Sequence, residues 1–428
     1  MITRLEVDGF KSLRDFAVDL DPFTVFIGPN SAGKSNILEA LALLSRLASQ
    51  PIADAFKGGR GRPSDQFTRE GNESVRTMRF AVEFLNYGYF GLDGGCAPGK
   101  QSRFRYELMI EREALASGVE RLVARNERFS ALHSEHDTWV ATHPEFAEVA
   151  TYGLAGTQIQ DGLSPSITSL HIALVQMQST EVAPSRQNLS MIHALQLDRA
   201  RLGEPSDRIG SDSLNTDGSN LPTVLAGLPP ALLGEIRADL VKLVPGIASF
   251  DVIPHDDEMR LEFKLSGGER MPARLVSDGT LRILVLLTAL RLDPRPSLLT
   301  IEEPENGIYP GRLRALLTLV LGETARRYDD SDEIEKLNDM LRDDGAVSII
   351  TNLLPTQIFV TTHSPVILSA LRNQPQHLRF IDAVRRDGHR ITRARTVGRP
   401  NTPAEGRFKI SPREIDQILD SARDGDSE

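Results

Sequence analysis

The sequence predicts an α/β protein organised on a parallel sheet whose strand tips carry the chemistry. Three observations support this. A G-x-x-x-x-G-K-[ST] loop, Gly28-Pro29-Asn30-Ser31-Ala32-Gly33-Lys34-Ser35, lies between an apolar run (24–27) and a helical stretch (36–49). A second apolar run (297–301) ends in Glu302-Glu303-Pro304. A third, rich in β-branched residues (357–362), ends in His363-Ser364-Pro365.

The loop comes first because its context matches its pattern. A phosphate cradle needs a strand to fix the loop and a helix N-terminus to aim free N–H groups at the anion. The glycines let the backbone curl around phosphate oxygens, with Asn36 following in the helix. Lys34 would reach the β- and γ-phosphates, and the Ser35 hydroxyl would bind Mg²⁺. The competing reading is an ordinary glycine-rich turn; the flanking strand and helix favour the cradle. The expected ligand is a nucleotide, ATP with Mg²⁺.

The acidic strand is the expected partner of such a loop. Glu302 can hold Mg²⁺ directly or through water, and Glu303 can polarise the water that attacks the γ-phosphate. Taken alone, Glu-Glu-Pro is a common helix start. His363 can hydrogen-bond the γ-phosphate and the attacking water. A histidine alone in a loop would carry no such weight; this one follows a strand that comes after the acidic strand in chain order.

Two serine–glycine turns resemble the Ser-Gly-Gly signature of ABC-type ATPases, Ser266-Gly267-Gly268 letter for letter and Ser277-Asp278-Gly279-Thr280 more loosely. The resemblance implies a helix N-terminus facing a γ-phosphate bound by another subunit. Ser266-Gly267-Gly268 is followed by Pro272, which interrupts any helix within two turns. Its flanks, 261–265 and 270–275, look like two strands joined by a turn. Ser277-Asp278-Gly279-Thr280 instead runs into 281–290, expected to be an uninterrupted helix of about three turns. The second is expected to be functional and the first a hairpin turn.

The remaining sequence sets bounds. A chain of 428 residues with 40% hydrophobic content can bury a substantial core, and its single cysteine, Cys96, excludes an intramolecular disulfide framework. No secretory signal and no stretch long enough to span a bilayer are visible, so a cytoplasmic protein without membrane contact is expected. The formal charge of −10 argues against a generally basic nucleic-acid-coating surface. Two local pieces are basic: the glycine-rich segment 57–62, and six arginines between Arg385 and Arg399 in an expected hairpin turning at Asp387-Gly388. Each reads either as a solvated face or as a hold on a phosphate backbone.

Three zones follow: 1–110, an N-terminal half with the phosphate loop and strand-like runs at 77–85 and 103–110; 111–250, a less regular insert with helical stretches at 111–128 and 230–243; and 251–428, a C-terminal half. A polar segment spans 205–220, and the tail, 424–428, is acidic.

Taken together, Asp8-Gly9-Phe10-Lys11-Ser12-Leu13, the phosphate loop through Asn36, Asp217-Gly218-Ser219-Asn220-Leu221, Ser277 to Arg282, Glu302 to Asn306 and Thr361 to Pro365 carry a resemblance. The chain resembles the ABC-type ATPase heads of the RecF, SMC and OLD families, and more closely the stand-alone bacterial RecF-like ATPases. The resemblance implies an ABC-type head with a P-loop core sheet, an N-terminal antiparallel β portion and a helical or irregular insert carrying the signature lobe. It places Lys11 and Ser12 near the nucleotide. It also implies an ATP-driven homodimer in which two ATP molecules are sandwiched, each met by Ser277, Asp278 and Gly279 of the opposite copy.

The chain departs from the pattern in several places. Glu302-Glu303 stands where such heads usually carry Asp-Glu, and Tyr309 where the closer group often has histidine. A Q-loop glutamine is not evident beyond Gln66. The long coiled coil of SMC-like heads is absent. After His363 about 65 residues remain, too few for a further nuclease domain of typical size, so any nuclease is expected on a separate effector. The function expected is an ATP-hydrolysing switch that dimerises on ATP and controls a partner or a nucleic-acid transaction, as in DNA repair or phage defence. The alternatives are an ATP-dependent scaffold with little turnover and, less favoured, a transporter ATPase subunit.

Overall fold

The computed structural model describes residues 1–71, 73–90, 96–133, 137–143, 146–147, 150–152, 159–160, 182–210, 213–292, 295–325, 356–386, 388–397 and 409–410. The acidic tail and positions Asp293, Pro294, Asp387 and Arg399 lie outside the described residues. Among the described residues the chain forms two compact units that interleave along the sequence. One comprises 1–192 and 374–410, the other 193–325 and 356–373.

The first unit contains an antiparallel sheet in which Glu120–Ala131, Cys96–Ala114, Thr77–Phe90, Ile2–Asp8 and Phe16–Asp19 lie side by side in that order. Alternation drives it: Leu5 and Val7 face inward opposite Val82 and Phe80, as a half-buried sheet requires. The strand register is pinned by Arg103, fully buried, which donates to both carboxylate oxygens of Asp137 (2.6 and 3.0 Å) and to the Thr3 hydroxyl (2.7 Å). A second set of strands holds the phosphate loop. Phe23–Ile27, buried throughout, runs parallel to Leu378–Arg386, and the latter turns back antiparallel as His389–Val397.

Residues 111–128, expected to be helical, are strand on both sides of a tight turn. Opposite charges at short spacing suggest a helix face, but here the pairs form across strands: Arg112 with Glu120, Arg121 with Glu113, Arg125 with Glu111. Gly118 supplies the left-handed residue of the turn, at φ 81°, and the Leu115 carbonyl accepts from its N–H at 2.9 Å. Val123 and Phe129 are buried on the alternating pattern.

In the second unit, helix Pro230–Leu243 forms as expected. Strands Ile247–His255, Glu258–Leu265 and Arg270–Pro272 make an antiparallel sheet. Ser266–Gly268 is the turn of its second hairpin: Gly268 sits at φ 90°, and Leu265 donates to the Glu269 carbonyl at 2.8 Å. Helix Asp278–Ala289 is buried at every position from Gly279 onward. Each of its Leu, Ile and Val side chains contributes about 1.5–3 kcal/mol of burial as an upper value, so this helix anchors the unit. The acidic strand Leu298–Glu302 runs parallel to Gln357–Thr362, pairing Glu302 with Thr361. Both carboxylates and His363 therefore emerge at one strand end.

Candidate functional site

The phosphate loop takes its shape from contacts that leave no room for a side chain. A Cβ at Gly28 would lie 1.9 Å from the Ile381 carbonyl oxygen. Gly33, at φ 103°, would place one 1.9 Å from Thr392 Oγ1. Ser31 is left-handed as well, at φ 62°. Helix Lys34–Leu47 then begins with no acidic residue in its first turn, so its positive end is left for an anion. The Lys34 side chain is buried and its ammonium donates to the carbonyls of Gly28 (2.7 Å) and Pro29 (3.0 Å), folding the cation over the loop. This donor set fits nucleotide phosphates.

Behind the loop lies a hydroxyl network. Ser12 Oγ accepts from the Asn36 amide (2.7 Å) and sits 2.6 Å from Thr392 Oγ1, which donates to the Ala32 carbonyl at 3.0 Å. Ser12 is thus a support of the loop and of its helix. Lys11, left-handed at φ 48°, forms an ion pair with Glu39. Arg390 donates to the Ser31 carbonyl (3.0 Å). Thr392 and Arg390 were not among the residues expected here; they come from the arginine-rich hairpin. Of that hairpin's arginines, Arg385, Arg386 and Arg390 are exposed, Arg393 and Arg395 pair with Asp382, and Arg386 pairs with Asp15.

In the second unit, Ser277 caps its helix. Its hydroxyl accepts from the Thr280 N–H (3.4 Å) and lies 2.8 Å from Thr280 Oγ1. Asp278 is tied to Arg282 at 3.0 Å. A Cβ at Gly279 would lie 2.1 Å from the Gly307 carbonyl oxygen, so the signature turn packs directly on the loop that follows the acidic strand. The Asp217-Gly218-Ser219 turn belongs to the same unit. Burial pushes the Asp217 carboxyl up, but hydrogen bonds from the Ser219 side chain and backbone outweigh it and hold the group below the usual range.

At the strand end, Glu303 is held at φ 47° while its N–H donates to the Thr361 carbonyl (2.9 Å). That left-handed conformation is costly for a non-glycine residue. Glu303 Oε1 lies 3.4 Å from His363 Nδ1, and Asn306 donates to Glu303 Oε2 at 3.1 Å. Glu302 Oε2 accepts from the Gln196 amide at 2.5 Å. The glutamine that meets the acidic strand is thus Gln196. Gln66, the one sequence reasoning singled out, is buried and donates to the Phe56 carbonyl at 2.6 Å, supporting the 57–62 loop. Glu305 was also overlooked: its Oε1 accepts from the Thr362 hydroxyl (2.6 Å) and the His363 N–H (3.1 Å). Among the described residues, no three His, Cys, Asp or Glu side chains form a metal cage.

Two family models match the chain: an AAA ATPase domain over residues 1–146, and an AAA domain described as a putative AbiEii toxin of a type IV toxin–antitoxin system over residues 205–369. The DNA replication and repair protein RecF of Acidothermus cellulolyticus is 32% identical over 115 residues, 26% of this chain and 28% of RecF. The OLD nuclease of Thermus scotoductus is 46% identical over 87 residues, 20% of this chain and 12% of the nuclease. The chain is similar to the ATPase heads of these RecF and OLD proteins. The match of the head to these relatives spans less than a third of their length. A solved SMC head bound to the C-terminal winged-helix domain of ScpA is 15% identical, with a TM-score of 0.48, covering 93% of the head and 98% of that chain. No helix among the described residues is long and apolar enough to cross a membrane.

Proposed function

We propose that this head is an ATP-hydrolysing switch that dimerises around two Mg-ATP and acts on a separate partner. The observation that carries hydrolysis is the placement of His363 Nδ1 3.4 Å from Glu303 Oε1 at a strand end. A carboxylate beside an imidazole can polarise a water and share its proton. A pure binding module has no use for a strained glutamate there.

The roles follow residue by residue. The N–H groups from Ser31 to Ser35 and the Lys34 ammonium bind phosphate oxygens. Ser35 and Glu302 would hold Mg²⁺ together with phosphate oxygens and water, as this ion prefers; the ion supplies charge neutralisation at the β- and γ-phosphates. Glu303 takes the proton of the attacking water, and His363 orients that water and the γ-phosphate. Ser277, Asp278 and Gly279 would be contributed by a second copy to the nucleotide of the first. The exposed Arg385, Arg386 and Arg390 offer the hairpin tip to a polyanion such as nucleic acid. A nuclease is the partner type suggested by the OLD likeness.

The test is Glu303→Gln in the full chain, followed by ATP turnover and size-exclusion chromatography. Turnover is expected to fall about a hundredfold or more while ATP holds the variant as a dimer. Unchanged turnover would move the catalytic role elsewhere, and a monomer in ATP would remove the switch. Lys34→Ala, expected to bind no nucleotide, checks the loop itself.

A further inference from the structure

Glu305 has no role in the scheme above, yet it is the most constrained carboxylate of the strand end. Its side chain is 10% exposed. One oxygen, Oε1, accepts from both the Thr362 hydroxyl and the His363 N–H. The other, Oε2, is sealed from solvent without a partner. Among the described residues no lysine or arginine pairs with it; the one cationisable side chain within reach is His363, whose Nδ1 is 3.5 Å from Glu305 Oε1. A buried carboxylate with an unused oxygen is costly.

We propose that Glu305 is the positioning residue of His363. It acts twice. Through its two accepted hydrogen bonds it fixes the backbone on which the histidine is carried. Through its charge, added to that of Glu303 on the same side of the ring, it keeps the imidazole hydrogen on Nδ1. That leaves Nε2 as the ring atom that exchanges a hydrogen bond with water or phosphate. The inference rests on the hydrolytic reading for its effect on rate, but not for its effect on the ring.

The two are separated by comparing the full chain with Glu305→Gln, Glu305→Ala and His363→Ala. Glutamine keeps a carbonyl acceptor for Thr362 and His363 and removes the charge. The first readout is the tautomer of the His363 ring, from nitrogen chemical shifts of histidine-labelled protein, assigned by the signals lost in His363→Ala. The ring is expected in the Nδ1–H form in the parent and redistributed toward Nε2–H in Glu305→Gln. The second is steady-state Mg-ATP turnover: kcat is expected to fall about tenfold in Glu305→Gln with KM unchanged, and Glu305→Gln is expected to add nothing in the His363→Ala background. A parental tautomer and kcat in Glu305→Gln would overturn the proposal. So would equal losses of KM and thermal stability in the Gln and Ala variants, which mark a merely structural carboxylate. If the parent hydrolyses no ATP, the hydrolytic reading falls and the ring tautomer alone decides the role of Glu305.

Discussion

The phosphate loop and the acidic strand end are held in place by opposite means. The loop is shaped by backbone packing: Gly28 lies against a carbonyl of the neighbouring strand, Gly33 against Thr392, and the Lys34 ammonium is satisfied by the loop's own oxygens. The strand end gathers carboxylates, each accepting from a neutral donor: Glu302 from Gln196, Glu303 from Asn306 and Glu305 from Thr362 and the His363 N–H, with Glu303 in a left-handed conformation and Glu305 with an unpartnered oxygen. A site that grips a ligand gains from rigidity prepaid in the fold. A site that moves protons needs groups whose demands the protein leaves unmet.

That contrast can be broken at the loop. Gly28→Ala has no way to relieve a backbone contact, so we expect nucleotide binding to be lost and stability to fall by about 3 kcal/mol; a calorimetric titration and a urea melt of the same sample would show it. Binding retained in that variant would mean that the loop is not shaped by packing.

A pH titration sharpens the other side. The ring of His193, in the strand beside the acidic one, has an Nε2 sealed without a partner, and burial pushes its pKa down to about 4 from 6.5. The unfolded chain takes up a proton near pH 6.5 and the folded chain does not. The stability tied to this group is therefore complete above pH 6.5 and is lost as pH falls from 6.5 to about 4, up to about 3 kcal/mol in all. His193→Leu should flatten that part of the stability–pH curve; an unaltered slope would assign the acid sensitivity to other groups. The smallest expected effect is at Glu303. Glu303→Gly should stabilise the fold by about 1 kcal/mol in a denaturant melt, because glycine accepts φ 47° without strain, and it should do so while turnover is lost. A destabilised variant would show that the conformation carries no strain.

The sequence was most legible where partners are neighbours in the chain. The phosphate loop, its strand and its helix lie within one contiguous stretch, and the Ser266 turn could be told from the Ser277 cap because Pro272 stops a helix. The strand end was legible in part, since a Glu-Glu-Pro terminus and a His-Ser-Pro terminus both mark it. What remained hidden depends on distance. Gln196 meets Glu302 across 106 positions and Thr392 meets Ala32 across 360, and no local pattern announces either. Glu305 was hidden differently: it lay inside the quoted acidic segment, next to the residues given roles. The 111–128 region, expected as helix, is a hairpin instead: its opposite charges pair across two strands and Gly118 takes the left-handed position of the turn.

The contact between Gly279 and Gly307 bears on how the signature turn and the acidic strand end communicate. Neither residue has room for a side chain: a Cβ at Gly279 would meet the Gly307 carbonyl oxygen, and one at Gly307 would lie 2.8 Å from the Asp278 carboxylate. Backbone meets backbone on one side of this joint, and the Asp278 side chain, tied to Arg282, lies on the other. A side chain added at either glycine would force the signature turn and the loop after Glu303 apart. The spacing between the two is thus set by a pair of glycines, and a substitution at either one alters both ends of the joint.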